Sequence, residues 1–532
     1  MKLRLTELKK DWGNIALPRF NIGAARENTR VNPTWLHLGA GNIFRGFICS
    51  LSQRLLDSGE CSTGIIAADT FDYEIIDRIF TANDNLTLNV SLLADGSVKS
   101  ELLASVCEAL KADCQDSVSM ERFYQIASSD SLQMISFTIT EKGYAVAGSD
   151  GGLLPVVKED IENGPFKTKH AMSFAAGLLL KRYLAGSQPV ALCSMDNCSK
   201  NGEKLKAAVM TVASGWLEKG YVDSGFIGYI SDESRVSFPW SMIDKITPRP
   251  SEKVERLLLD MGLEDISPIV TSKNTYIAPF VNAEEPQYLV IEDSFPNGRP
   301  PLELAGVYMT DRETVNKTER MKVTTCLNPL HTALAVYGCM LGYTLICEEM
   351  KDSELRLLVE RLGYKEGLLV VTDPGILSPR EFIDEVVTKR LPNPFMPDAP
   401  QRIATDTSQK VGIRFGETIK SYAAMGRADS LTAIPLAIAG WLRYLLGVDD
   451  SGKPMEISPD PLKDELTSQL SGIELGSPES YKGQLLPILK NASIFGSDLV
   501  EIGMSSLIER MFVGMLSGAG AVRATLRKYL NG

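Results

Sequence analysis

The sequence predicts an α/β dinucleotide-binding N-terminal domain followed by a mainly α-helical C-terminal domain. Three observations predict it. Short apolar runs alternate with helical patterns over the first three hundred residues. A glycine turn, "LHLGAGNIFRGF", follows the first of those runs. Beyond about Asp311, long segments with helical spacing replace the β-branched runs. The expected domains are residues 1–311 and 312–532.

Taken in order, "TWLHLGAG" reads as a strand entering a glycine loop, and "TGIIAADT" as a strand ending in an acid. "LQMISFTITEKGY" and "QPVALCSMDN" repeat the form, as do "GFIGYIS" and "QYLVIEDSF". Continuous apolar runs of strand length, separated by helices, describe a mostly parallel sheet covered on both faces. Helices are expected at "GFICSLSQRLLDSG" and at "HAMSFAAGLLLKRYLAG", the second stopped by Gly186. The C-terminal half offers "HTALAVYGCMLGYTLICEEM", "DSELRLLVERLG", "PREFIDEVVTKRL" and "DSLTAIPLAIAGWLRYLLG" as helices.

The glycine turn is the first functional signal. Gly39 makes the tight turn, and Gly41 lets the amides of Asn42, Ile43 and Phe44 approach a pyrophosphate at a helix N-terminus. The third glycine of the fingerprint falls on Phe44, so the motif is incomplete. Arg45, in the first helical turn, could meet a phosphate. Asp69 ends the second strand, where a carboxylate accepts from an adenosine ribose and repels a 2′-phosphate, favouring NAD over NADP. Asp69 could equally cap the following helix. Thr140 and Glu141 close the fourth strand pattern, at the sheet edge where such folds bind ligands.

Composition narrows the class. A net charge of −12 excludes the basic face that a nucleic-acid protein needs. Nine scattered cysteines without CxxC read as reduced thiols in a cytoplasmic protein, and three histidines rule out a His-rich metal site. The N-terminus has no apolar core of a signal peptide, and no apolar run reaches membrane-spanning length.

Together with "SMDNCSKNG", "FPWSMIDKITP" and "MKVTTCLNPLH", these phrases resemble the mannitol dehydrogenase-type family of polyol-specific long-chain dehydrogenases, in order from about residue 34 to about 415. Within it, "ERMKVTTCLNPLHTALAVYGC" is most similar to the fructuronate reductase branch. The resemblance implies a Rossmann-type domain followed by a helical one, with the active site between them. It also implies NAD(P)-linked oxidation of a secondary alcohol without a metal. By the same resemblance Lys322 is the general base, Asn328 and Asn197 donate to the substrate oxygen, and His331 holds a neighbouring hydroxyl. Asp244, Arg402 and Lys410 are then substrate contacts, with Arg402 first and Lys410 second as partners of a sugar-acid carboxylate. A sugar acid or polyol is the implied substrate, with D-mannonate and D-fructuronate the expected pair. Tagaturonate, mannitol or a phosphorylated polyol remain open, as do an NAD-dependent epimerase and a non-catalytic NAD-binding module. Oligomeric state is left undetermined.

One spacing departs from the family. Five residues, "VTTCL", separate Lys322 from Asn328 where four are usual. At about 100° per residue, a continuous regular helix would turn the two apart. The catalytic reading therefore requires a break or a π-bulge between them, and Pro329 favours a break at the residue before it. The plainer reading of "NPLH" is an Asn cap followed by proline in a first helical turn.

Overall fold

The computed structural model describes residues 1–531 and divides the chain into two compact units. One comprises Met1–Leu92 and Ser97–Asn316, the other Leu93–Gly96 and Lys317–Gly532. The division falls inside the helix Arg312–Met321, a few residues beyond the expected boundary.

The first unit is built on six strands: β1 (Trp35–Leu38), β2 (Ile65–Asp69), β3 (Val106–Lys111), β4 (Met134–Phe137), β5 (Val190–Ser194) and β6 (Val236–Ser237). All pairings are parallel, in the order β3-β2-β1-β4-β5-β6. This is the doubly wound dinucleotide-binding order, whose direction reverses between β1 and β4. Every residue of β1, β2, β4 and β5 is buried. Alternate side chains feed two separate cores, Leu36 and Leu38 on one face and Trp35 on the other. That two-sided burial is why these strands read as unbroken apolar runs rather than as alternation.

One expected strand is a helix. "GFIGYIS" lies in the helix Ser224–Ser231, because the Asp223 side chain accepts from the Phe226 N–H (3.0 Å) and caps it. Phe226, Tyr229 and Ile230, at helical spacing, fill the buried stripe. Three strands not read from the sequence, Thr87–Leu92, Val98–Leu103 and Phe280–Glu284, form a separate sheet.

Among the described residues no strand lies beyond Thr310, and the second unit is helical. Its helix Ala433–Tyr444 is buried at every position. The Glu366 carboxylate accepts the N–H groups of Thr432 (2.7 Å), Ala433 (2.6 Å) and Ile434 (2.9 Å), satisfying the amides that begin this helix. No helix among the described residues is long and apolar enough to cross a membrane.

Glu349 is a second buried carboxyl of this unit and is handled differently. It is fully buried and neither oxygen has a hydrogen-bond partner. Room for it exists because position 338 is glycine: a Cβ there would lie 1.9 Å from Glu349 Oε1. Burial pushes this carboxyl well above its ordinary range, and Asp352 adds to the shift. The folded state holds the proton more tightly than the unfolded chain, so the stability of the wild type falls as pH rises from the ordinary carboxyl value toward the raised one. Glu349→Leu removes that penalty. Its stability advantage should widen by up to about 1.4 kcal/mol per pH unit above pH 5, measured by urea denaturation at pH 5, 6.5 and 8. A gap that does not change with pH would overturn the assignment.

Candidate active site

One group of the expected site residues lies at the carboxyl edge of the parallel sheet, at the β1–β4 reversal. Gly39 has φ +105°, and a Cβ there would meet the Thr138 carbonyl oxygen at 2.1 Å. Only glycine allows β1 to pass this close to the end of β4. The turn is fixed by Gly39 N–H to Ala68 O (2.8 Å) and by Thr138 Oγ1 to Gly39 O (3.0 Å). Gly41 faces open space, with nothing within 4 Å of a Cβ placed there. The Gly41 carbonyl then accepts the Arg45 N–H (3.1 Å) as the helical turn begins.

Asp69 lies beside this turn. Its Oδ2 accepts the Ala40 N–H (3.0 Å), and its Oδ1 accepts those of Phe71 (2.9 Å) and Asp72 (2.7 Å). Burial raises its pKa and the three N–H donors oppose the rise. Three of roughly four acceptor positions are filled, which leaves capacity on Oδ2 for one more donor. The carboxylate thus ties the glycine turn to the loop after β2 and still presents an acceptor.

Arg45 is corrected. It is fully buried, and its guanidinium donates to the Ala278 carbonyl and the Asn42 side chain, both at 2.7 Å, rather than reaching toward a phosphate. The sequence places it in a first helical turn, but this turn is wound with π geometry over Phe44–Ile48 and all five residues are buried. Phe44 takes the position of the missing glycine and stacks on His37 (4.2 Å between centroids), so any cofactor contact there is through backbone. His37 itself bonds Ser136 and Thr138, and burial depresses its pKa to about 3. Ile43 is half-buried. The Glu141 carboxylate is 67% exposed and paired with Lys204 at 2.5 Å.

The residue that organises this edge is Asp196, which the sequence does not single out. Asp196 accepts the N–H groups of Ile139 (2.7 Å) and Thr140 (3.1 Å) and the Tyr144 hydroxyl (2.7 Å). Thr140 has φ +65°, a strained value for a threonine, and these bonds hold it. Asn201 completes the frame. Its amide donates to Ser194 O, Asp196 O and Ser241 O, and its oxygen accepts the Ser241 N–H, joining the end of β5 to the strand Ser241–Asp244. Exposed Asn197 and buried Asp244 are carried on these two braced segments.

A separate group of the expected site residues lies in the helical unit. The chain over Lys322–Cys326 winds as a π-helix, and Leu327 donates to Lys322 O, five residues back, at 3.1 Å. Leu327 then leaves helical geometry (φ −129°, ψ −62°), and a new α-helix runs from Asn328 to Leu341. The widened turn and the break together take up the additional residue between Lys322 and Asn328. The break falls at Leu327, one position earlier than the proline rule places it. Pro329 instead occupies the first turn, where its missing N–H costs nothing. Asn328 is the first helical residue and not the cap: no side chain caps this helix. Lys322 is 2% exposed.

His331 is one turn further on. Its Nε2 has no hydrogen-bond partner and lies 3.7 Å from Asp398 Oδ2. Burial is the main cause of a pKa lowered to about 4, which Arg414, Arg402 and Arg390 lower further and Asp398 opposes. The imidazole is therefore neutral at physiological pH. Arg402, largely exposed, is bonded to Asp398. Lys410 donates to Thr405 O, and burial lowers its pKa, with Asp406 and Asp460 supporting its charge. Arg414, unmarked in the sequence reading, donates to Thr332 Oγ1. Among the described residues no group of three or more His, Cys, Asp and Glu side chains is placed to hold a metal ion.

Residues 33–304 match the mannitol dehydrogenase Rossmann domain and residues 314–503 the mannitol dehydrogenase C-terminal domain. The chain is 51% identical over 523 residues to the D-mannonate oxidoreductase of Thermotoga maritima, covering 97% of this chain and 96% of that one. It is 26% identical over 494 residues to the D-mannonate oxidoreductase of Escherichia coli, covering 90% of this chain and 93% of that one. Its fold is similar to a D-sorbitol dehydrogenase in substrate-free form (TM-score 0.78, 23% identity, 99% and 100% covered). It is similar too to the mannitol 2-dehydrogenase of Pseudomonas fluorescens solved with NAD and D-mannitol (TM-score 0.70, 24% identity, 100% of both chains). With both of its domains matched in order, and a relative sharing half its residues along nearly its whole length, the chain belongs to the mannitol dehydrogenase family of oxidoreductases.

Proposed function

We propose that the protein interconverts D-mannonate and D-fructuronate with NAD as the redox partner and Lys322 as general acid and base. The observation that carries the substrate class is the 51% identity to a D-mannonate oxidoreductase over 97% of the chain. The residues present fit the dinucleotide: the space at Gly41 admits a pyrophosphate, and Asp69 retains an acceptor for a ribose hydroxyl while disfavouring a 2′-phosphate. Bound NAD supplies the hydride acceptor.

The chain's own residues handle the proton. In oxidation the uncharged Lys322 amine takes the hydroxyl proton as hydride leaves the same carbon. In reduction the ammonium returns that proton to the nascent alkoxide. Asn328 and Asn197 donate to this oxygen as negative charge builds on it. His331, neutral with Nε2 unengaged, bonds a neighbouring hydroxyl and does not supply the proton. Asp244 accepts from a further hydroxyl, and Arg402 and Lys410 hold substrate oxygens. The amine polarises and deprotonates the alcohol, so the scheme calls for no metal ion.

Initial rates of NADH consumption with D-fructuronate, D-tagaturonate and D-fructose test the substrate. D-fructuronate should be used best, and a clear preference for either of the others would overturn the reading. Lys322→Ala should lower turnover by about 10²–10⁴-fold while NADH still binds, as followed by fluorescence titration. Near-normal turnover would dismiss Lys322 as the acid–base group. The oxidation rate should rise with pH and the reduction rate should fall, because the two directions need opposite forms of one amine. His331, titrating near 4, is neutral throughout the range pH 6–9 and adds no limb to either profile. Parallel pH dependence in the two directions would contradict a single shared group.

A further inference from the structure

We propose that Arg414 is the residue that binds the substrate's carboxylate and so selects sugar acids over neutral polyols, an inference that rests on the sugar-acid reading above. Arg414 is the middle residue of a π-wound segment, Gly412–Gly416. The two end glycines are pressed against backbone: a Cβ at Gly412 would come within 2.7 Å of Ile494 O, and one at Gly416 within 2.2 Å of Phe495 O. Two residues along a helix is about half a turn, so pinning positions 412 and 416 sends the side chain of 414 the opposite way. There its Nη1 donates to Thr332 Oγ1, and Thr332 Oγ1 donates to Asn328 O at 2.9 Å. The guanidinium is thereby coupled to the first turn of the helix that carries Asn328 and His331.

Its charge is not compensated. Among the described residues no carboxylate pairs with Arg414, and burial alone draws its pKa down to about 10. Arg402 and Lys410 differ: the first is bonded to Asp398, and the second has Asp406 and Asp460 to support its charge. A half-buried guanidinium without an acid carries a desolvation cost that an incoming carboxylate relieves. With Nη1 on Thr332, the edge formed by Nε and Nη2 matches the two oxygens of a carboxylate as a bidentate pair. Lys410 stands one turn away, its carbonyl accepting the Arg414 N–H at 2.9 Å, and adds positive potential on the same side. A neutral polyol has no group that replaces this ion pair.

The test is the ratio of kcat/KM for D-fructuronate to that for D-fructose in the wild type, Arg414→Gln, Arg414→Lys and Arg402→Gln. Arg414→Gln should lower the ratio by roughly 10- to 100-fold through KM for the acid, the range of one charge-assisted pair. Arg414→Lys should recover part of it, and Arg402→Gln should shift it less. Where Arg414→Gln does not fold, competitive inhibition of wild type and Arg414→Lys by D-gluconate and by sorbitol gives the same comparison. A wild type that favours the acid with a ratio unchanged in the Arg414 variants overturns the assignment to Arg414 alone. A wild type that does not favour the acid overturns both this assignment and the sugar-acid reading.

Discussion

The hydrogen bond from Leu327 N–H to Lys322 O, spanning five residues instead of four, is the constraint on which the placing of Lys322 and Asn328 in the helical unit depends. An α-helix repeats every 3.6 residues, and inserting one residue rotates everything downstream by about 100°. Two ways exist to absorb an insertion without disturbing the flanking helices: widen one turn, or break the helix and restart it. This chain does both in six residues, winding Lys322–Cys326 as a π turn and releasing the backbone at Leu327 before Asn328. Such turns have fewer favourable backbone contacts than α turns, so they survive where something else fixes them. Here the side chains of Thr324, Thr325 and Cys326 are buried, and Thr324 Oγ1 returns to Arg320 O at 2.8 Å.

The same economy governs the sheet edge, where carboxylates act on backbone before they act on any ligand. Asp69 and Asp196 each gather amide N–H groups from a loop that leaves the carboxyl end of a strand. A loop at that edge has no ladder to satisfy its amides, and a buried acid that accepts two or three of them fixes it without adding a new element of structure. Asp196 thereby holds Thr140 in a left-handed conformation, and Asn201 repeats the principle with an amide. The exposed Asn197 owes its position to neighbours that are themselves buried.

Much of this was legible in the sequence, for definable reasons. Strands buried on both faces appear as apolar runs, so β1, β2, β4 and β5 could be located by eye, each ending in the polar residues that the sheet edge requires. "GFIGYIS" could not be separated from them, because a short apolar run fits a strand or a buried helix equally, and the deciding feature was the capping role of Asp223. Sequence reveals a charge but not its partner. Arg45 looked available because arginine is usually exposed, yet it is spent on Ala278 O and Asn42. Arg402, read as a partner for a carboxylate, is bonded to Asp398, four residues earlier and just before the helix Pro400–Ile403.

That last point reverses the usual way of choosing a binding residue. A cation in a polar cluster is of interest less for its presence than for whether an acid accompanies it. His331 illustrates the consequence. Its burial, with guanidiniums nearby, makes the protonated form unfavourable, so the imidazole is neutral at physiological pH. The helical unit thus presents three different groups: a buried amine, an imidazole kept neutral, and a guanidinium with no carboxylate paired to it among the described residues. The state of each is set by burial and by the pairing of neighbours, and the backbone between the amine and the imidazole takes up its extra residue in a widened turn and a break at Leu327.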